Sequence, residues 1–187
     1  MARIITLSMH VSLDGYVAGP NGEMDWIKID DEIFSFVDSK TDEADTALYG
    51  RKTYEIMDNY WPTADQKPDA GKHARHHAAW YKSVTKVVLS RTMKSDDPKT
   101  RVISENVPEQ VRALKEEPGR NILIFGSPGA SQVLIEHNLI DEYWLFVNPV
   151  AINKGIPLFR QDTLQRLKLV NSHVYASGVI WLHYRKL

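Results

Sequence analysis

An α/β fold built on one mixed, mostly parallel β-sheet is predicted, with an antiparallel C-terminal end. Three observations carry this. Ile5, Leu7, Met9 and Val11 alternate with Thr6, Ser8 and His10, the period of a strand. Apolar strand-like runs then alternate with helix-like segments as far as residue 137. After that, strand patterns follow one another, and Ser177-Gly178 divides the last of them into a hairpin.

In chain order, the first strand gives way to a long loop, LDGYVAGPNGEMDW, which holds three glycines and a proline. Asp30 and Asp31 suit a helix N-terminus by capping and by charge, and Ile33, Phe34, Phe36 and Val37 supply its apolar stripe. Thr46–Gly50 reads as a short strand and RKTYEIM opens a helix directly after it. Residues 60–79 show no strong pattern. Val84–Ser90 is β-branched and reads as a strand, followed by a shorter one in TRVIS. A helix is expected over Glu109–Glu117, with Asn106 as N-cap and Pro118-Gly119 as the stop. Ile122–Phe125 is a strand, a helix follows to about His137, and IDEYWLFVNPV is a strand. In this last strand Trp144 and Phe146 take one face and Tyr143, Leu145 and Val147 the other. Apolar residues on both faces predict cover by helices or by a partner chain.

The 187 residues predict one domain, 1–187, and 43% hydrophobic residues are enough for one sizeable core. A net charge of −1 gives no electrostatic case for nucleic acid or an anionic membrane. There is no cysteine, so disulfides, thiolate catalysis and Cys-based zinc sites are excluded. No apolar stretch approaches the ~18 residues of a membrane span, and the N-terminus makes a poor signal peptide. A cytoplasmic protein is expected.

Three strand ends agree with one another. Gly50-Arg51-Lys52-Thr53 enters a helix, Ser90-Arg91-Thr92 ends a strand, and Gly126-Ser127-Pro128-Gly129-Ala130-Ser131 enters another helix. In open α/β sheets ligands sit outside the carboxyl ends of the strands. Helix N-termini offer free N–H groups and a positive dipole end to an anion, and glycine lets a phosphate approach the backbone. Pro128 in the first turn loses no needed N–H, and Ser127 is placed to cap. Each stretch by itself also reads as a plain tight turn. None is GxGxxG, so the dinucleotide fingerprint of the doubly wound fold does not apply.

SLDGYVAGPNGEMDW (Ser12–Trp26), LYGRKTYE (Leu48–Glu55), VVLSR (Val87–Arg91), ILIFGSPGAS (Ile122–Ser131) and LIDEYWLFVNPVAINKGIPLF (Leu139–Phe159) occur in that order. Together they resemble the dihydrofolate-reductase-like superfamily. Within it they are most similar to the C-terminal reductase domain of the riboflavin-biosynthesis deaminase/reductase and its stand-alone relatives. The resemblance implies a three-layer fold with helices on both faces of the sheet, and a homodimer. It also implies an NADPH-dependent oxidoreductase of the 5-amino-6-(5-phosphoribosylamino)uracil reductase kind, acting on a small heterocyclic or sugar-like carbonyl compound. On this resemblance Gly50, Arg51, Lys52 and Thr53 meet the pyrophosphate and a nearby phosphate of NADPH. Ser90 and Arg91 meet the adenosine 2′-phosphate, with Leu89 beside them in the cofactor site, and Gly126, Ser127, Pro128, Gly129, Ala130 and Ser131 line the pyrophosphate and the nicotinamide ribose. Val17 and Ala18 lie near the nicotinamide. A nucleotide- or flavin-binding module on the same fold, without turnover, is the alternative.

The chain departs from the resemblance at the substrate side. Lys28 stands where the riboflavin-type domain has a hydroxyl, and Asn148-Pro149-Val150 and Asn153-Lys154-Gly155 replace its His-Pro-Val and Gly-x-Gly. Phe34 stands where folate reductases keep a carboxylate. Asp14 is the polar candidate facing the cleft, or else an Asp-Gly turn. Trp26 is either a platform for a flat substrate or a plug beneath the loop. Lys28 reads as a solvated lysine, and Trp61 and Trp80 as packing residues. His73, His76 and His77 have helical spacing but no carboxylate pattern nearby, so they read as a solvated face and no metal site is assigned.

Overall fold

A computed structural model describes residues 2–160 and 164–187. The elements run β1 (Ile5–Ser12), β2 (Tyr16–Ala18), α1 (Asp31–Thr41), β3 (Ala44–Gly50), α2 (Arg51–Ala64), α3 (Lys72–Ser83), β4 (Thr85–Leu89) and β5 (Thr100–Ile103). They continue with α4 (Val107–Glu116), β6 (Asn121–Phe125), α5 (Pro128–Glu136), β7 (Glu142–Asn148), β8 (Ile156–Pro157), β9 (Leu167–Val174) and β10 (Ile180–Lys186). The main sheet has the order β5-β4-β3-β6-β1-β7-β10-β9. The strands from β5 across to β7 pair in parallel, and β10 runs antiparallel between β7 and β9. The expected division into a parallel part and an antiparallel end is therefore found. No described helix is long and apolar enough to cross a membrane.

The alternation in β1 divides the interior. Ile5, Leu7, Met9 and Val11 face a core completed by Val111 and Leu114 of α4 and Leu134 and Ile135 of α5. The opposite core takes Ile33 of α1, Tyr54 of α2 and Trp80 and Tyr81 of α3. Leu7, Leu48, Ile122 and Ile124 are fully buried. Truncating one such leucine to alanine costs about 2–5 kcal/mol. β7 divides as its alternation predicts: Tyr143 and Leu145 enter the first core, Trp144 and Phe146 the second. Its apolar faces are thus covered within the chain, and they no longer argue for a partner.

Local chemistry sets the helix starts. The Asp30 carboxylate accepts the Ile33 N–H at 2.9 Å, and Asp31 and Glu32 occupy the first turn of α1. Asn106 does stand at the N-cap of α4, but in a left-handed conformation and without a capping bond from its side chain. The featureless segment 60–79 is corrected: α2 continues to Ala64 through Pro62, and α3 begins at Lys72. The first half of α3, KHARHH, is basic and polar, and its buried positions include His77 beside Ala78, Trp80 and Tyr81. An apolar stripe that uses a histidine is invisible to a hydrophobic period. Tyr16–Ala18, inside the long first loop, pairs with β8 as a small second sheet.

Candidate functional site

Because β1, β3, β4 and β6 are parallel, their carboxyl ends open on one edge of the sheet. Leu48 pairs with Ile124 and Gly50 with Leu89, while Ser8 pairs with Phe125. Gly50, Leu89 and Gly126 therefore end or follow their strands side by side, next to Met9 of β1, which stays paired with Leu145 of β7. The chain returns to place β6 between β3 and β1, which is the switch point at which such sheets bind ligands.

A cleft of about 730 Å³ opens there. Gly50, Arg51, Lys52 and Thr53 line it from one side and Gly126 to Ala130 from the other, with Leu89, Arg91, Val17 and Ala18 completing the wall. It meets a second recess of about 230 Å³ on the α1–α3 side of the sheet. Met9, Val17, Met24, Met57 and Gly126 belong to both. The recess continues past Ile33, Phe34 and Trp61 to His10, His73 and His77, and among the described residues no carboxylate lines it.

The turn after β6 is shaped by two left-handed residues, Gly126 (φ 57°) and Ser127 (φ 57°). A non-glycine residue is strained there unless held. The Ser127 hydroxyl accepts the Gly50 N–H at 3.1 Å and reaches the Phe125 carbonyl at 3.3 Å, so it ties the end of β3 to that of β6. Capping of α5 by Ser127 is thus corrected: its side chain makes no capping bond. A β-carbon at Gly50 would lie 3.4 Å from that of Ala130, an ordinary van der Waals contact, so packing within the chain does not itself demand glycine there. Ser131 is buried and braces the turn by donating to the Gly126 carbonyl at 3.0 Å, so it stands behind the lining.

Unlike α1, α2 and α5 start with neither a side-chain cap nor an acidic residue in the first turn. The N–H groups of Gly129 and Ala130 precede the first intrahelical bond of α5, which Ser131 donates to Ser127. Both helix starts point unneutralised dipole ends at the cleft. Arg51 is held by Glu55 (2.6 Å) and donates to the Thr92 hydroxyl at 3.0 Å. Arg91 is exposed and, among the described residues, has no ion-pair partner. The Ser90 hydroxyl accepts the Met93 N–H at 3.1 Å and is absent from the cleft wall.

Neither substrate-side candidate, Asp14 or Trp26, lines the two cavities. Asp14 is exposed, and its carboxylate is spent on its own loop: it accepts from the Ser12 hydroxyl (2.6 Å) and from the N–H groups of Ile152 (3.2 Å) and Asn153 (2.7 Å). The Ser12 bond, then the backbone bonds, hold its carboxyl below the usual carboxylate range. It is a loop staple, outside both cavities. Trp26 donates its indole N–H to the Glu23 carbonyl (3.3 Å) and lines neither cavity; Met24, Ile27 and Ile29 do so instead. Lys28 is exposed, as expected.

His10 is a residue that the sequence did not single out. It lies on the recess wall, stacked on Phe146 with ring centroids 4.8 Å apart. Burial lowers its pKa to about 4, so the imidazole is neutral at ordinary pH. Asn148 accepts the Lys28 N–H through Oδ1 and places Nδ2 3.3 Å from His10 Nδ1. An amide donor there leaves the imidazole proton on Nε2. The α3 histidines are no solvated face: His77 is buried by desolvating aromatic neighbours, and His73 Nδ1 lies 2.7 Å from Asp38 Oδ1. The carboxylate missing from the local pattern comes from α1, 35 residues earlier.

Comparison with known proteins agrees with this architecture. Residues 3–181 match the RibD C-terminal domain family. The uncharacterized protein YyaP of Bacillus subtilis (strain 168) is 37% identical over 186 residues, covering 97% of this chain and 94% of its own. YwjB of the same organism is 30% identical over 190 residues, with 98% of each chain covered. The fold is similar to that of a putative riboflavin biosynthesis protein from Shewanella sp. PV-4 (TM-score 0.75, 20% identity, 100% and 99% covered). It is also similar to the Thermotoga maritima diaminohydroxyphosphoribosylaminopyrimidine deaminase/5-amino-6-(5-phosphoribosylamino)uracil reductase (TM-score 0.69, 16% identity), covering all of this chain but 57% of that one. A pyrimidine reductase-like protein from Corynebacterium diphtheriae is a third match (TM-score 0.65, 15% identity, 99% and 92% covered). With a dihydrofolate-reductase-like sheet, a cleft at its switch point and a family match over nearly its whole length, the chain belongs to the RibD C-terminal domain family.

Proposed function

We propose that the protein is an NADPH-dependent reductase that transfers hydride to a small heterocyclic or sugar-like carbonyl compound, as one domain over residues 1–187. The observation that carries this reading is the meeting of two unlike cavities at Met9, Val17 and Gly126. One is the larger, glycine-lined and flanked by two bare helix N-termini, which suits a dinucleotide with its phosphates. The other is small and largely apolar, which suits a flat ring. Hydride transfer needs donor and acceptor rings about 3–3.5 Å apart, and a shared wall is where two such rings face each other.

NADPH fits the residues present. The free N–H groups of Gly129 and Ala130 and the start of α2 would hold the diphosphate, and Arg91 the adenosine 2′-phosphate. Val17 and Ala18 would cover the nicotinamide. When bound, NADPH supplies the hydride. The chain's own contribution is positioning: Met9, Val17 and Met57 exclude water between the rings, and His10 offers a neutral N–H donor on the recess wall. The absence of cysteine suits a reducing cytoplasm.

The test is thermal unfolding with NADPH followed by turnover. At ~100 times its dissociation constant, NADPH should stabilise the chain by about 2.7 kcal/mol. No shift at millimolar NADPH would refute the reading. Stabilisation without loss of NADPH absorbance, across pterins, pyrimidinones and simple carbonyl compounds, would favour the binding-module alternative. A homodimer is the proposed assembly. It is supported by the outer strand β9, whose Leu169, Val170 and Val174 are exposed. Light scattering at micromolar concentration giving 21.4 kDa would refute it.

A further inference from the structure

Behind the recess lies a cluster that hydride transfer does not use. His73 and His77 are one helical turn apart on α3, with ring centroids separated by 5.5 Å. Asp38, in the last turns of α1, faces them. One ligand atom each from Asp38, His73 and His77 lie within 4.8 Å of one another. Phe34 stacks on His73 and Trp61 covers His77, both at 4.0 Å between ring centroids, so aromatic packing fixes the ring planes. His77 is 4% exposed, and its Nδ1 is buried with no hydrogen-bond partner. A buried polar atom of this kind carries a desolvation penalty with nothing to offset it.

We propose that Asp38, His73 and His77 form a binding site for one divalent first-row transition metal ion of the zinc type. Two neutral imidazoles and one carboxylate suit zinc, cobalt, nickel or iron. Calcium and magnesium prefer shells of oxygen donors. An ion here takes over the Asp38–His73 hydrogen bond and uses imidazole nitrogens of both histidines. Three protein ligands leave a coordination position open. His73 and His77 both line the recess, so the cluster adjoins the cavity where the proposed substrate sits. The site stands on these residues alone and is independent of NADPH. His76, on the same helix, is paired with Asp42 at 3.1 Å and lies outside the cluster.

The experiment uses the full chain, stripped with a chelator and titrated with Co²⁺ and Zn²⁺. Calorimetry should give one ion per chain, and bound Co²⁺ should show the stronger visible bands of four- or five-coordinate geometry. Loss of a mere outer-shell partner costs about 10–100-fold in metal affinity. Asp38→Asn and His77→Gln, as direct ligands, should each cost about 100-fold or more. His76→Gln should leave affinity and stoichiometry unchanged. Should His77→Gln not fold, side-chain NMR of the unmodified protein decides: Zn²⁺ must shift the His73 and His77 ring resonances and spare those of His76. The proposal is overturned by no saturable binding at millimolar Zn²⁺, by binding that Asp38→Asn leaves intact, or by binding that His76→Gln abolishes.

Discussion

Gly129 separates a glycine required by the chain from one required by a ligand. It is the second residue of α5, is exposed, and has a backbone conformation open to any residue. A β-carbon there would meet nothing within 4 Å. Nothing in the protein itself demands glycine, so Gly129→Glu should fold. It should also gain stability: replacing glycine in a helix and placing an acid at its N-terminus together contribute about 1 kcal/mol. For a chain of this size that raises Tm by about 2–4 °C. NADPH binding should respond in the opposite direction. At an effective dielectric of about 20 and a separation of about 5 Å, two like unit charges cost about 3 kcal/mol. Salt and rotation of the exposed carboxylate reduce this to about 1.5–3 kcal/mol, or roughly tenfold to 150-fold in Kd. The assay pairs thermal unfolding of the free protein with fluorescence titration by NADPH. A variant that is more stable and binds NADPH as well as before would remove the diphosphate from the start of α5 and refute the cofactor assignment. Gly126→Ala is the contrast, because φ of 57° makes the substitution costly to the fold itself, by about 1–2 kcal/mol.

Arg91→Ala should weaken NADPH five- to thirtyfold and leave NADH nearly unchanged, as expected for a guanidinium on a 2′-phosphate; equal loss for both cofactors would place Arg91 elsewhere. Dihydrofolate should be a poor substrate, since Phe34 and its neighbours line the recess without a carboxylate; turnover at rates typical of enzymes on their own substrates would contradict this. His10 binds a proton more weakly in the folded chain, at a pKa of about 4 against 6.5 for the free group, because burial disfavours the imidazolium. Its contribution to stability is therefore complete above pH 6.5. It declines as pH falls towards 4, by up to about 1.4 kcal/mol per pH unit. Denaturant unfolding of His10→Gln should lack this part of the decline, and identical pH profiles for variant and parent would show that His10 is not the group responsible.

The glycine-bearing strand ends were legible because their chemistry is local. Gly50, Gly126 and Pro128 combine a strand stop with a helix start within a few residues, and thirteen of the fifteen expected cofactor-binding residues line one cleft. The two exceptions, Ser90 and Ser131, spend their hydroxyls on neighbouring backbone groups, which a residue type cannot reveal. Asp14 stayed open between two readings for a related reason. A carboxylate in an Asp-Gly loop is equally able to face a cleft or to bind the N–H groups of Ile152 and Asn153, which lie 138 and 139 residues away.

By itself the sequence determined most strand and helix types outside residues 60–79 and the first loop, the parallel and antiparallel division and the two glycine-bearing turns. These depend on periodicity, on backbone conformation and on capping groups within one turn of each other. Only the tertiary structure decided the recess, because its wall is drawn from β1, α1, α2, α3 and the loop before α1. It alone placed His10 beside Asn148, and Asp38 beside His73 and His77. Burial and hydrogen bonding of a histidine depend on which distant side chains arrive next to it, and no period along the chain records that arrival.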